Sequence, residues 1–313
     1  MTAGIDEARR LLATPPGPRG SGRVRYGAAM TLNRAGLLSH EALEVYRICA
    51  LLDREDPAAV MRARGVAPAA EGQGGTDGPD GPGGPGTVPP QDAIAALIAE
   101  ADLYLAGLTG PGIAEVRAGI AAARGAPPRP AAAAPAPASA PSAAAIRDRW
   151  LGPALAALAP DFPALAAAIA AAAPHLGWIT YDSYPRERIG AAFADGHAFA
   201  SVIGEAAPVA AADFDFGLFL IAPGLFYRDR RHPAPELYAP LTGPHGWRFR
   251  PGAPLIDRPA HRPVWNDPLR PHATLAGPLP FLCLFAWTRD VNAPAEVLDA
   301  PDWAALEGAG AAR

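Results

Sequence analysis

Cysteine is nearly missing from this chain of 313 residues. The two present, Cys49 and Cys283, lie in different halves, which excludes a disulfide framework and a cysteine-rich zinc site. There is no basic face either. The formal net charge is −4 and the pI near 6.0, and the one local arginine cluster, at 228–231, is too short for a nucleic-acid stripe. The N-terminal segment MTAGIDEARRLLATPPGPRG lacks an apolar stretch of the secretory kind. The longest apolar run, the Ala-rich 153–174, is interrupted by Asp161 and several prolines, which argues against a membrane span. These absences point to a soluble cytoplasmic protein that handles neither nucleic acid nor membrane.

Half of the residues are hydrophobic, but alanine supplies much of that fraction. Aromatic and branched aliphatic residues concentrate after position 146. Two low-complexity stretches divide the chain. Residues 70–90 are rich in Gly, Pro and Asp and read as a disordered loop. Residues 126–145 are rich in Ala and Pro and read as a linker. The expected organisation is therefore a helical N-terminal region over 1–125, a linker over 126–145 and a main domain over 146–313.

In the first region Ser39 is a candidate N-cap, with Leu43, Val45, Tyr46 and Ile48 following at helical spacing. Residues 91–108 and 110–124 read as further helices. After the linker, 144–173 reads as two helices broken at Pro160 and Pro163. From His175 on the period changes. GWITYDSY, AFASVIGE, DFDFGLFLIA, FYRDRRH, ELYAPLTG, GWRFR and FLCLFAWT are short runs bounded by Gly, Pro and Asp, the pattern of an all-β sandwich or barrel.

Inside GLFYRDRRHPAPELYAPLTG, residues 224–243, His232, Glu236 and Tyr238 stand at spacings of four and two. Residues 230, 232, 236 and 238 share parity and tend to point one way on pleated strands. Imidazole, carboxylate and phenol are all metal donors, and His272 adds a fourth from a later strand-like segment. Mixed nitrogen and oxygen ligation suits one divalent ion such as zinc, iron or manganese. Against this, His-x-x-x-Glu recurs by chance, and Glu236 also reads as a surface acid paired with Arg231.

The frame resembles the first cupin motif, G-x5-H-x-H-x3-E-x6-G, with Arg230 in place of the first histidine. VWNDPLRPH stands where the turn before the second-motif histidine is expected. Within the cupins the chain resembles the bacterial dimethylsulfoniopropionate lyases over about 144–299, including FGLFLIAPGLFY, the His232, Glu236, Tyr238 and His272 set, and LFAWTRD. The resemblance implies a double-stranded β-helix, or jelly-roll barrel, preceded by helices. It implies metal ligation by His232, Glu236, Tyr238 and His272, and Tyr227 as the base of a β-elimination that turns the substrate into dimethyl sulfide and acrylate. Residues 227 and 232 differ in parity, so a bulge or turn must aim Tyr227 inward.

The substrate's sulfonium suits aromatic faces. Trp178, Tyr181, Tyr184, Phe216, Trp265 and Trp287 are available, with Tyr181 and Trp287 the first choices and Arg230 a further contact to the small carboxylate substrate. Two other readings stay open: a different metal-dependent cupin enzyme, such as an isomerase or dioxygenase on a small carboxylate, and a non-catalytic sensor whose N-terminal region binds a protein partner. A homodimer is compatible with each.

Overall fold

The structure, a computed structural model, describes residues 2–13, 89–124, 143–181 and 185–311, with isolated positions between 25 and 46. The expected helix start at Ser39, Cys49, the stretch 70–88, residues 126–142 of the expected linker, and Tyr184 lie outside the described residues.

The described helices are α1 (Thr2–Ala13), α2 (Pro90–Ala106), α3 (Ile113–Ala123), α4 (Ala143–Leu158), α5 (Pro163–Ala172), the short α6 (Arg186–Ile189) and α7 (Ala191–Ala194), and α8 (Trp303–Ala311). Prolines in the first turn open α2 and α5, where a missing N–H costs nothing. The break between α4 and α5 spans Ala159 to Phe162, at the prolines as expected.

The strands are β1 (His197–Gly204), β2 (Val209–Ala210), β3 (Asp215–Ile221), β4 (Phe226–Arg231), β5 (Glu236–Pro240), β6 (His245–Arg248), β7 (Ile256–Arg258), β8 (Val264–Asn266), β9 (His272–Leu275), β10 (Phe281–Trp287) and β11 (Glu296–Val297). One sheet has the order β2-β1-β3-β10-β5-β8, the other β11-β4-β9-β6-β7. From β3 to β6 and again from β8 to β11, successive strands alternate between the sheets, which is the winding of a double-stranded β-helix. The C-terminal fold is thus an all-β cupin barrel preceded by helices. Of residues 177–184, expected as a strand, only a single bridge, Ile179 to Phe199, forms among those described.

The six-stranded sheet is buried on both faces, which explains its almost unbroken apolar runs. Leu218 and Leu220 of β3, Leu282 and Leu284 of β10, and Leu237 and Ala239 of β5 face the helices. Their alternates, Phe219, Ile221, Phe281, Cys283, Phe285 and Tyr238, face the barrel interior. Across that interior the ring of Tyr238 meets Trp247 of the second sheet at 5.5 Å.

The chain divides into two compact units at 87/88. In the first, the Arg25 guanidinium donates to the Leu11 and Leu12 carbonyls at the end of α1. In the second, α2 and α3 join the barrel, although the sequence reading grouped them with the N-terminal region. Leu97, Tyr104, Leu105, Val116 and Ile120 belong to the same apolar core as α4, α5 and the outer face of the six-stranded sheet. The Tyr104 hydroxyl, 3.3 Å from the Pro240 carbonyl and 3.0 Å from His261 Nδ1, ties α2 to the end of β5.

Candidate metal centre

A bulge in β4 sets the inner face of the site. Tyr227 pairs with Thr274 and Arg230 with His272, so three steps along β4 match two along β9. Arg228 and Asp229 therefore both turn outward beneath α8. Arg228 Nε donates to Glu307 at 2.7 Å. Asp229 accepts from Trp303 Nε1 at 2.9 Å and from the buried Arg248 guanidinium, which also grips Asp302. This is the bulge that Tyr227 requires, and it puts Tyr227 and Arg230 on the interior face together.

Three atoms converge in the interior. His232 Nε2 and His272 Nε2 each lie 3.2 Å from Glu236 Oε2, and all three side chains are at most 3% exposed. The Nδ1 of His232 faces the Ala234 carbonyl at 2.8 Å, and that of His272 faces the Arg270 carbonyl at 2.9 Å. A carbonyl only accepts, so these partners assign the ring proton to Nδ1 and turn the Nε2 lone pairs toward the carboxylate. Burial, reinforced by Arg230, pushes the His272 pKa down to about 4, leaving its ring neutral.

The His272 Nε2 contact is misaligned for a hydrogen bond, so this buried atom has no hydrogen-bond partner among the described residues. Lone pairs facing one another across 3.2 Å call for a cation between them, and each histidine is braced by an acceptor behind it as metal ligands are. The residues present therefore fit a metal ion.

Glu236 is the fixed centre of this group and no surface acid. Its Oε1 accepts from Trp287 Nε1 at 2.8 Å and its Oε2 from Asn266 Nδ2 at 3.0 Å, while Arg231 pairs outside with Glu296. Strand pairing builds the arrangement, since Trp287 and Asn266 are the cross-strand neighbours of Glu236 in β10 and β8. His232 and Glu236 do not lie on one strand pair, because β4 and β5 belong to different sheets. Tyr227, Arg230 and His272 form one wall, and Glu236, Tyr238 and Trp287 the facing one.

The other expected residues gather around this centre. Arg230 is buried and donates from Nη2 to the Tyr238 hydroxyl at 3.0 Å, with its guanidinium 3.3 Å from the centre of the Tyr227 ring. Burial disfavours its charge, but Tyr238, Tyr227 and Glu236 more than offset that. Tyr238 lies beside His272, ring to ring at 6.5 Å. Burial, then Glu236, raise its phenol pKa well above the ordinary value. Trp287 stacks on His232 at 4.5 Å.

A cavity of about 160 Å³ opens onto the centre, bounded by Tyr181, Phe199, Phe219, Tyr238, Phe285 and Trp287, with Glu236, Asp215 and Val291 completing it. That is below the ~300–1,000 Å³ of sites for drug-sized ligands and suits a small one. Tyr227 is not part of this wall. Its ring stacks on Phe193 at 4.0 Å and lies 6.1 Å from that of Tyr181. Trp178, Phe216 and Trp265 pack in or against the helix-facing core instead. The sequence reading passed over Asn266 and Asp215, which lack a local motif and act through cross-strand register.

Residues 131–283 match the dimethylsulfoniopropionate lyase family. The dimethylsulfoniopropionate lyase DddQ of Ruegeria pomeroyi is 32% identical over 120 residues, 38% of this chain, and the chain spans 59% of that relative's length. The crystal structure of DddQ from Ruegeria pomeroyi DSS-3 is similar with a TM-score of 0.50 at 24% identity, covering 66% of this chain and 96% of that one. At this identity the likeness shows the fold. The barrel that brings His232, Glu236 and His272 together is thus similar, over about half of the chain, to the dimethylsulfoniopropionate lyases.

Proposed function

We propose that the chain is a metal-dependent carbon–sulfur lyase that splits dimethylsulfoniopropionate into dimethyl sulfide and acrylate. The observation that carries this reading is the convergence of His232 Nε2, His272 Nε2 and Glu236 Oε2 at one end of a small aromatic cavity, in a barrel similar to that of the dimethylsulfoniopropionate lyases. His232, Glu236 and His272 would hold the ion, with Tyr238 as a further oxygen donor, and zinc, iron and manganese suit such a set. When bound, the ion supplies Lewis acidity toward the substrate carboxylate.

The elimination removes a proton from the α-carbon. The released electron pair forms the carbon–carbon double bond while the carbon–sulfur pair leaves with dimethyl sulfide. Tyr227 is the base in this reading, the role that the family resemblance implies for it. Arg230 sets a positive charge against its ring, where the base carries negative charge. Tyr181 and Trp287 present aromatic faces to the sulfonium.

Purified protein loaded in turn with zinc, iron and manganese should release dimethyl sulfide and acrylate in equal amounts. His272→Ala should lose both bound metal and product. Absence of product with every metal, from protein shown to be loaded, would overturn the reading.

A further inference from the structure

Asp215 is the acid of the cavity that the elimination does not use. It heads β3 on the same face as Glu236, because Asp215 pairs with Trp287 and Trp287 pairs with Glu236 in one row across the sheet. Two strand spacings separate the two acids, roughly 10 Å between backbones. Glu236, at 3% exposure, lies deep. Asp215, Trp287 and Val291 are only half-buried and stand toward the opening.

The partners of the two acids differ as well. Glu236 is held by Trp287, Asn266 and the two histidines. The carboxyl of Asp215 receives bonds from the Ser201 hydroxyl and the Phe216 backbone, and its Oδ1 is buried with no partner among the described residues. No arginine or histidine among the described residues pairs with it. A buried carboxylate with no cationic partner is costly by itself and favourable beside a cation.

We propose that Asp215 is the counter-ion for the cationic head of the ligand, so that the cavity reads zwitterions: carboxylate toward the metal centre, onium group between Asp215 and the faces of Trp287, Phe199 and Phe285. The proposal rests on the lyase reading for the sulfonium substrate, and it extends to the class of short onium carboxylates. Burial that raises the Asp215 pKa to about 6 agrees with a site whose charge is completed by its ligand.

The test uses metal-loaded protein and two ligands of equal shape: β-alanine betaine, and its carbon isostere in which a tert-butyl group replaces the trimethylammonium head. Calorimetric titration gives the ratio of their dissociation constants. Wild type should prefer the cation by at least about tenfold, ~1.4 kcal/mol. Asp215→Asn should abolish that preference while leaving the isostere's affinity in place, and Asp215→Glu should restore part of it. Equal binding of the two ligands by wild type, or an unchanged ratio in Asp215→Asn, overturns the proposal. The wild-type ratio decides the matter even if the variant does not fold. Cleavage of dimethylsulfoniopropionate with an unchanged ratio refutes the role of Asp215 alone. A cation preference without cleavage refutes the lyase reading alone.

Discussion

Arg230 sits between two phenols, donating to Tyr238 and covering the ring of Tyr227. Tyr227 is buried outside the cavity beside the candidate metal centre, and Tyr181 stands in that cavity's wall. Separate Phe substitutions therefore identify the base. Tyr227→Phe should lower kcat by about 10²–10⁴-fold, the scale of a lost general base, with metal content unchanged. If the loss follows Tyr181→Phe while Tyr227→Phe stays active, the base is Tyr181. His232 and Glu236 of the candidate cluster were legible because imidazole and carboxylate at short spacing suggest metal chemistry. Asn266 and Asp215 were not, because each reaches the site through strand register.

At the scale of elements, the β4 bulge and α8 form one device. Asp229 and the Arg248 side chain are fully buried, and Asp302, the residue just before α8, completes the clamp. Arg248→Ala leaves Asp229 charged and unpaired in the interior and should cost about 3–5 kcal/mol of unfolding free energy in urea. Asp229→Leu combined with Arg248→Met should cost much less, because no charge is then stranded. The parity of Tyr227 and His232 already demanded such a bulge. The helices α2 to α5 and the long strands were readable from their period. The short strands β7, β8 and β11 were not, since two or three residues carry no period, and their pairing is decided by neighbours far along the chain.

For the molecule as a whole, the change of composition at 126–145 suggested a boundary that the packing sets elsewhere. The apolar residues of α2 and α3 cover the outer face of the six-stranded sheet together with α4 and α5. A fragment starting at residue 88 should fold and melt cooperatively. One starting at 126 should be destabilised and bind a hydrophobic dye, having lost that cover; equal melting temperatures for the two would contradict this account. Acid should act on the same unit through buried histidines. Burial lowers His197 and His245 to about 4, from an ordinary 6.5. Between those values the unfolded chain binds protons that the folded chain refuses, so stability falls as pH drops from 6.5 toward 4. Asp215, raised to about 6 from 3.8, has the opposite sign over most of that window. Metal-free His272, also lowered to about 4, joins His197 and His245, and the net of two protons gives a slope of roughly 2.7 kcal/mol per pH unit. Urea titrations at stepped pH measure it, and His245→Asn should flatten it.

The alternating faces of β10 also bear on how this protein can be changed. Cys283 and Phe285 look into the barrel, whereas Leu282, Leu284 and Ala286 look at the helices. A library confined to the first set reshapes the ligand chamber on an intact scaffold, and one confined to the second tunes robustness without touching selectivity. A single inserted residue in this strand exchanges the two sets, so insertions there should be purged from any functional selection while substitutions persist.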